Sequence, residues 1–356
     1  IAGLGLYTDD VAPTGTLHVA FVRSPFAKAK ILSIDTSQAE GMDGVKAIYT
    51  ADDTRHLGPL PTQVAVRTRP LLADGQVAHA GEAVAMVVAT DRYLAQDAAE
   101  AVFVDYEEQD PVIDMKAAAA GDIKAHDDMD SNVIIACTAG TFGDEEAIAK
   151  TSETIQAAKD RDDTVTVSLE MINQRLVPTA MEPRSVVAEY SPGYGRFQVH
   201  STTQIPHALA GAVAKTFGLD NSQVNVTALE VGGGFGAKLN IYPDEILVAF
   251  ASKALGKPVK FTETRREAAV NTIHGRGWVA TATMVGTRDG EILGYELDGI
   301  ADMGAYTQNF TAAIPFLGLF VGSGQYTMPT YWNLQCVLTN TVVTDAYRGA
   351  GRPEAE

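Results

Sequence analysis

The sequence predicts an α+β fold, with mixed sheets and packed helices in two successive units. Short runs of alternating apolar and β-branched residues recur along most of the chain and read as strands. Helical patterns bounded by capping residues, proline or glycine interrupt them. A stretch of small and acidic residues separates the two units. With 356 residues and 46% hydrophobic content, the chain has enough apolar surface for two ordinary cores.

In chain order, "LHVAFV" from Leu17 to Val22 reads as a strand, Pro25 as a turn and "AKILSID" as a second strand. "GEAVAMVVAT", Gly81 to Thr90, is nearly all apolar and reads as a buried strand. Thr90 or Asp91 caps a helix over "DRYLAQDAAEA", and "VFVDYE" alternates again, so a compact first unit over residues 1–113 closes near Pro111. Residues 114–142, with "KAAAAGD" and "HDDMDSN", lack sustained apolar periodicity and read as a surface linker.

The second unit, residues 143–356, carries strand signals in "TVTVSLEM", "SVVAEY", "RFQVHSTT", "QVNVTALEV", "PVKFTET", "WVATATMVG", "ILGYELDGIA" and "LQCVLTNTVV". Two helices interrupt them. "PHALAGAVAKTF" places Leu209, Val213 and Phe217 one turn apart and stops at Gly218. The other opens with Pro243, Asp244 and Glu245, aligns Ile246, Phe250 and Ala254, and stops at Gly256.

Composition narrows the function. Lysine plus arginine number 27 against 45 acidic residues, a net charge of -18 that repels nucleic-acid backbones and anionic membrane surfaces. The two cysteines, Cys137 and Cys336, are too few to hold an iron–sulfur cluster and read as buried thiols in a reducing compartment. The apolar run "AAIPFLGLFVGSG" is shorter than the ~20 residues of a membrane span and contains Pro315. The chain opens at Ile1 without a methionine and stops at "GRPEAE", which reads as a piece of a longer protein.

The most distinctive local feature is "EVGGGFGAKLN", Glu230 to Asn240. A glycine run between a strand and a helix lets a ligand approach bare main chain, where N–H groups favour anions and oxo groups. A P-loop would need a hydroxyl residue after Lys238, where Leu239 stands. Gly232, Gly234 and Ala237 match a dinucleotide fingerprint in form, with Glu263 as the acid, although Glu263 comes late and Pro243 delays the helix. A ligand-free turn is the third reading. Elsewhere, "STTQIPHAL" sets Gln204 between a strand and a helix, and "DAYRGAGRPE" sets Arg348 before a glycine-rich loop.

Taken in order and spacing, "TQIPH", "VGGGFGAK", "ADMGAY" and "AYRGAGRPE" resemble the large subunit of the xanthine oxidase family of molybdenum hydroxylases, of the carbon monoxide dehydrogenase-like, form II type. "GLGLYTDDV", "LHVAFVRSPFAKAKILSID" and "GEAVAMVVATDRYLAQDAAEAVFVDYE" resemble the α/β hammerhead domain of those subunits. The resemblance implies a hammerhead domain followed by the first molybdopterin cofactor-binding domain, the amino-terminal half of the subunit. It implies a molybdenum–molybdopterin cofactor, in the cytosine dinucleotide form if bacterial, with no direct protein ligand to the metal. Gln204, Gly234, Phe235, Gly236 and Arg348 match the family residues around it. Leu239, Gly349 and Ala350 match the substrate pocket.

The implied activity is oxidation of an aldehyde or N-heteroaromatic compound with oxygen from water, in the cytoplasm. Electrons would leave through [2Fe-2S] clusters and FAD on an iron–sulfur small subunit and a flavin medium subunit, usually in a dimer of heterotrimers. No catalytic residue is assigned here: the family's glutamate base belongs to the other half, and neither Glu354 nor Glu356 lies in its setting. Copper-containing members carry a cysteine where this chain has Gly349, and xanthine-type members a glutamate and an aromatic where it has Leu239 and Ala350. His207 reads as a solvent-facing or capping residue, and Tyr306 and Phe310 as packing. The rival functions are a nicotinamide-dependent dehydrogenase built on the glycine pattern and a non-catalytic cofactor-binding or assembly module.

Overall fold

The computed structural model describes residues 3–62, 65–138 and 145–355. Residues 139–142 of the expected linker, residues 143 and 144 at the start of the second unit, and Glu356 lie outside the described residues. The strands are β1 (Leu17–Arg23), β2 (Ala29–Asp35), β3 (Val45–Tyr49), β4 (Gln76–Val77), β5 (Ala83–Ala89), β6 (Phe103–Glu108), β7 (Val133–Thr138) and β8 (Thr164–Asn173). They continue as β9 (Ser185–Ser191), β10 (Arg196–Ser201), β11 (Val224–Thr227), β12 (Val259–Thr262), β13 (Trp278–Thr287), β14 (Ile292–Asp302) and β15 (Thr330–Val337). The helices are α1 (Ser37–Glu40), α2 (Ala51–Thr54), α3 (Arg92–Ala101), α4 (Met115–Ala120) and α5 (Glu145–Lys159). They continue as α6 (Pro206–Phe217), α7 (Pro243–Leu255), α8 (Arg265–Asn271), α9 (Ala313–Val321) and α10 (Arg352–Ala355).

Three sheets carry the fold. A seven-stranded sheet runs β11-β10-β9-β12-β1-β5-β3, a five-stranded sheet β7-β15-β14-β13-β8, and a small one β4-β2-β6. The first joins both ends of the expected division, because β1 pairs in parallel with β12, Leu17 opposite Val259. The first unit is therefore not closed on itself: its buried strands extend a sheet begun by β9 to β12. Likewise β1 and β2 do not form a hairpin but enter different sheets.

Helix ends follow the local chemistry. The Asp91 carboxylate accepts from the N–H groups of Tyr93 at 2.8 Å and Leu94 at 2.9 Å, starting α3, whose Ala95, Ala98 and Ala99 pack with β1 and β5 residues. α6 opens on Pro206 and ends at Gly218 with φ 64°, burying Leu209 and Val213. α7 opens on Pro243 and ends at Gly256 with φ 61°. Its first two turns are buried nearly all round, while Ala254, expected on the packed face, is exposed where the helix leaves the core.

The stretch expected as a surface linker is corrected. It contains α4, capped by the Asp114 carboxylate on the Ala117 N–H at 2.8 Å, and β7, which pairs with β15. Asn132, buried, donates to the carbonyls of Ala118 and Ile123 and accepts from the Ala125 N–H, so polar side chains satisfy a main chain that apolar periodicity could not announce. Helices α5, α8, α9 and α10 add to the two expected in the second unit. The apolar stripe of α5 is thin, with only Ile155 and Ala158 buried, which leaves little periodic signal.

Cys137 and Cys336 are buried and unpaired, and burial pushes the Cys336 thiol up to about 12. The apolar run after Thr311 forms the nine-residue α9, and among the described residues no helix is long and apolar enough to cross a membrane.

Candidate functional site

Three loops meet at one end of the seven-stranded sheet. The turn from β10 into α6 carries Gln204, the glycine loop runs from β11 to α7, and the Arg348 loop leads into α10. Gln204 Oε1 accepts from the Gly236 N–H at 3.0 Å, and the Gln204 N–H donates to the Lys238 carbonyl at 2.8 Å. The Arg348 N–H donates to the Phe235 carbonyl at 2.9 Å, joining the third loop to the second. The five residues assigned to the cofactor from sequence, Gln204, Gly234, Phe235, Gly236 and Arg348, are thus brought together.

Two glycines in the run answer to two different neighbours. A Cβ on Gly234 would lie 2.5 Å from Gln204 Oε1. A Cβ on Gly236, with φ +99°, would lie 2.1 Å from the Ala346 carbonyl oxygen. Phe235 between them takes φ 54°, the left-handed region that L-residues rarely occupy, and the residue is 43% exposed.

The donors left over define what the site can hold. Among the described residues, the main-chain N–H groups of Gly233, Gly234 and Phe235 meet no acceptor, nor does Gln204 Nε2. Arg348 is exposed and its guanidinium has no hydrogen-bond or ion-pair partner among them. No group of three or more His, Cys, Asp or Glu side chains among the described residues could hold a metal ion. This donor set fits a ligand rich in oxygen acceptors.

The supporting residues were not legible in the sequence. Arg276 donates to the Tyr347 carbonyl at 3.2 Å and the Arg348 carbonyl at 2.6 Å, stacks 4.8 Å from the Tyr347 ring and faces Glu354 at 3.5 Å. The Asn309 side chain, in a stretch noted only for its aromatics, donates to the Leu239 carbonyl at 3.1 Å. Asp345 accepts from the N–H groups of Ala346 and Phe310, and burial pushes its carboxyl up to about 6. Burial was the missing signal in each case, since charged and amide residues carry no periodicity.

The expected pocket residues are half-buried. Gly349 has φ +111°, and a Cβ there would lie 2.9 Å from the Pro353 ring carbons. Ala350 has φ 34°, and its N–H donates to the Tyr347 carbonyl at 2.7 Å. The Leu239 N–H donates to the Gly236 carbonyl at 2.9 Å. Tyr306 packs as expected, its hydroxyl donating to Glu82 at 2.7 Å, and His207 is exposed.

The rival glycine motifs find no support in the geometry. Lys238 is 2% exposed and its ammonium donates to Glu182 rather than to open space. Glu263, the acid of the dinucleotide pattern, is buried and bound by Arg184 at 2.7 Å and Thr272 at 3.0 Å, so it has no oxygen to offer a ribose.

Comparison with known proteins identifies both units. The molybdopterin cofactor-binding domain family matches residues 126–356, and the a/b hammerhead domain of aldehyde oxidase and xanthine dehydrogenase matches residues 2–110. The carbon monoxide dehydrogenase large chain of Hydrogenophaga pseudoflava is 35% identical over 96% of this chain and 43% of its own length. The nicotine 6-hydroxylase large subunit of Paenarthrobacter nicotinovorans is 31% identical over 99% of this chain and 43% of its own. The crystal structure of quinoline 2-oxidoreductase from Pseudomonas putida 86 superposes with a TM-score of 0.87 at 32% identity, over 98% of this chain and 44% of that one. The chain spans less than half the length of these relatives. By both domain matches and by these relatives, the chain belongs to the xanthine oxidase family of molybdenum hydroxylases, as a large-subunit sequence of carbon monoxide dehydrogenase-like type.

Proposed function

We propose that the chain is the part of a molybdenum hydroxylase large subunit that positions the cofactor for oxidation of an N-heteroaromatic compound or an aldehyde. The observation that carries this is the hydrogen bond from the Gly236 N–H to Gln204 Oε1. It locks the glutamine so that Nε2, a row of main-chain N–H groups and the Arg348 guanidinium remain for a ligand on joined loops. Bound molybdopterin, in the cytosine dinucleotide form for a bacterial protein, supplies the two-electron redox chemistry. Gln204 Nε2 and the N–H groups of Gly233, Gly234 and Phe235 would orient its oxygen-bearing side, and Arg348 would steady anionic groups of cofactor or substrate.

The substrate class rests on three positions and on the relatives. Gly349 leaves no room for a side chain, which argues against a copper-holding cysteine there. Leu239 and Ala350 provide neither an acid nor a ring for a purine. Relatives named for nicotine and quinoline support a heteroaromatic substrate. Glu354 is buried against Arg276 and is not assigned as the base that activates water; the resemblance to the family implies a glutamate for that role outside these 356 residues. Partner subunits carrying [2Fe-2S] clusters and FAD complete a dimer of heterotrimers in the cytoplasm.

Metal analysis and a panel of aldehydes and N-heteroaromatics, run on the whole complex, test the proposal. Gln204→Ala is expected to lower turnover at least about tenfold, a larger effect than its loss of stability. Wild-type turnover in that variant at normal molybdenum content would remove the role given to Gln204. Tight NAD binding without molybdenum would replace the whole reading by a nicotinamide dehydrogenase.

A further inference from the structure

We infer that Glu182 is the positioning residue of the glycine loop, setting the Gly233–Phe235 donor row and, through Lys238, the Gln204 amide; this rests on the cofactor reading of that loop. Glu182 lies in the segment between β8 and β9, remote in sequence from all three loops. It holds the glycine loop at both ends. At the start, the Gly232 N–H donates to Glu182 Oε2 at 2.7 Å, and the Glu182 N–H donates to the Gly232 carbonyl at 3.1 Å. At the end, Lys238 Nζ donates to the Glu182 carbonyl at 2.9 Å and to Oε2 at 3.1 Å. Between these anchors lie the N–H groups that meet no acceptor among the described residues.

The fit is steric as well as electrostatic. A Cβ on Gly232 would lie 2.6 Å from Glu182 Cβ, so the first glycine of the run is required by this residue and not by the ligand. Burial pulls the Lys238 ammonium below the usual lysine range while Glu182 opposes the fall, so the buried cation depends on this carboxylate. The Lys238 carbonyl accepts from the Gln204 N–H at 2.8 Å and the Thr203 hydroxyl at 3.4 Å, which passes the position of Lys238 to the glutamine. A single residue, through its carboxylate and its main chain, thus holds both ends of the loop and, by way of Lys238, the Gln204 main chain.

Hydrogen exchange on the whole protein tests this without reference to turnover. In Glu182→Gln the amide of Lys238's neighbours, residues 232–239, and those of residues 203–205 are expected to exchange at least about tenfold faster, with β9 and α7 unchanged. Adding Lys238→Met removes the stranded cation, and the second variant is expected to recover at least about half of the lost protection. Unchanged exchange at the loop, equal acceleration through β9 and α7, or no recovery in the double variant would each overturn the assignment. Molybdenum content of the purified complex is expected to fall about fivefold in Glu182→Gln and to recover only in part in the double variant. A wild-type complex without molybdenum would overturn the proposed function, and the exchange results would still decide on Glu182.

Discussion

Arg184 and Arg348 show what this fold does with a guanidinium in two settings. Arg184 is buried and every arm is engaged: Nη1 donates to Asp244 at 2.9 Å, Nη2 to Glu263 at 2.7 Å, and Nε to Thr272 at 3.0 Å. Its plane covers the Tyr242 ring at 3.7 Å. Burial works against its charge, and Asp244, Glu263 and Tyr242 more than offset that, holding it well above the usual arginine range. Arg348 is fixed only through its main chain, while its side chain stands exposed with no partner among the described residues. A saturated cation organises the core; an unsaturated one on a braced loop is available to a ligand.

The strongest test of that contrast is Arg184→Met, which leaves Asp244 and Glu263 buried without their cation. It is expected to lower unfolding free energy by about 3–5 kcal/mol, read from the denaturant midpoint. A loss as small as that of a surface substitution would break the comparison. Next comes Gly236→Ala, whose Cβ meets the Ala346 carbonyl and whose φ is strained for alanine. About 2–3 kcal/mol of stability should be lost, together with protection of the Arg348 N–H in hydrogen exchange.

A smaller effect comes from Glu245, beside the Arg184 cluster. Burial, and then the charge of Asp244, push its carboxyl up to about 7 from the ordinary 4.5. A raised folded-state value means the native state holds the proton more tightly than the unfolded chain. The stability this contributes is full below pH ~4.5 and is lost as pH rises through about 7. Glu245→Gln should flatten that part of the stability–pH curve, measured by urea titration between these limits; an unchanged slope would show that Glu245 ionises normally. Smallest in stability is Arg348→Ala, expected to change it by no more than about 0.5 kcal/mol while reducing molybdenum retention in the whole complex. A large stability loss would show that Arg348 belongs with Arg184 as a structural cation.

The sequence was most legible where a local rule acts alone. Asp91, Pro206, Gly218, Pro243 and Gly256 mark the ends of α3, α6 and α7 because caps and ring constraints depend on a few neighbouring atoms. It was least legible at β7 and α4, where buried Asn132 replaces apolar periodicity as the organising contact. It also left open that β1 pairs with β12, a contact between residues more than half the chain apart.

By itself, then, the amino-acid order determined the ends of the capped helices α3, α6 and α7, the absence of a cysteine set for a cluster, and the joint pattern of Gln204, the glycine run and Arg348. Those properties are local or compositional. Only the tertiary structure decided why three of the loop's four glycines are glycines: Gly232 yields to Glu182, Gly234 to Gln204 and Gly236 to the Ala346 carbonyl, neighbours distant in sequence. It also decided which charged groups are spent on the core, because desolvation and partner geometry exist only once the chain has closed on itself.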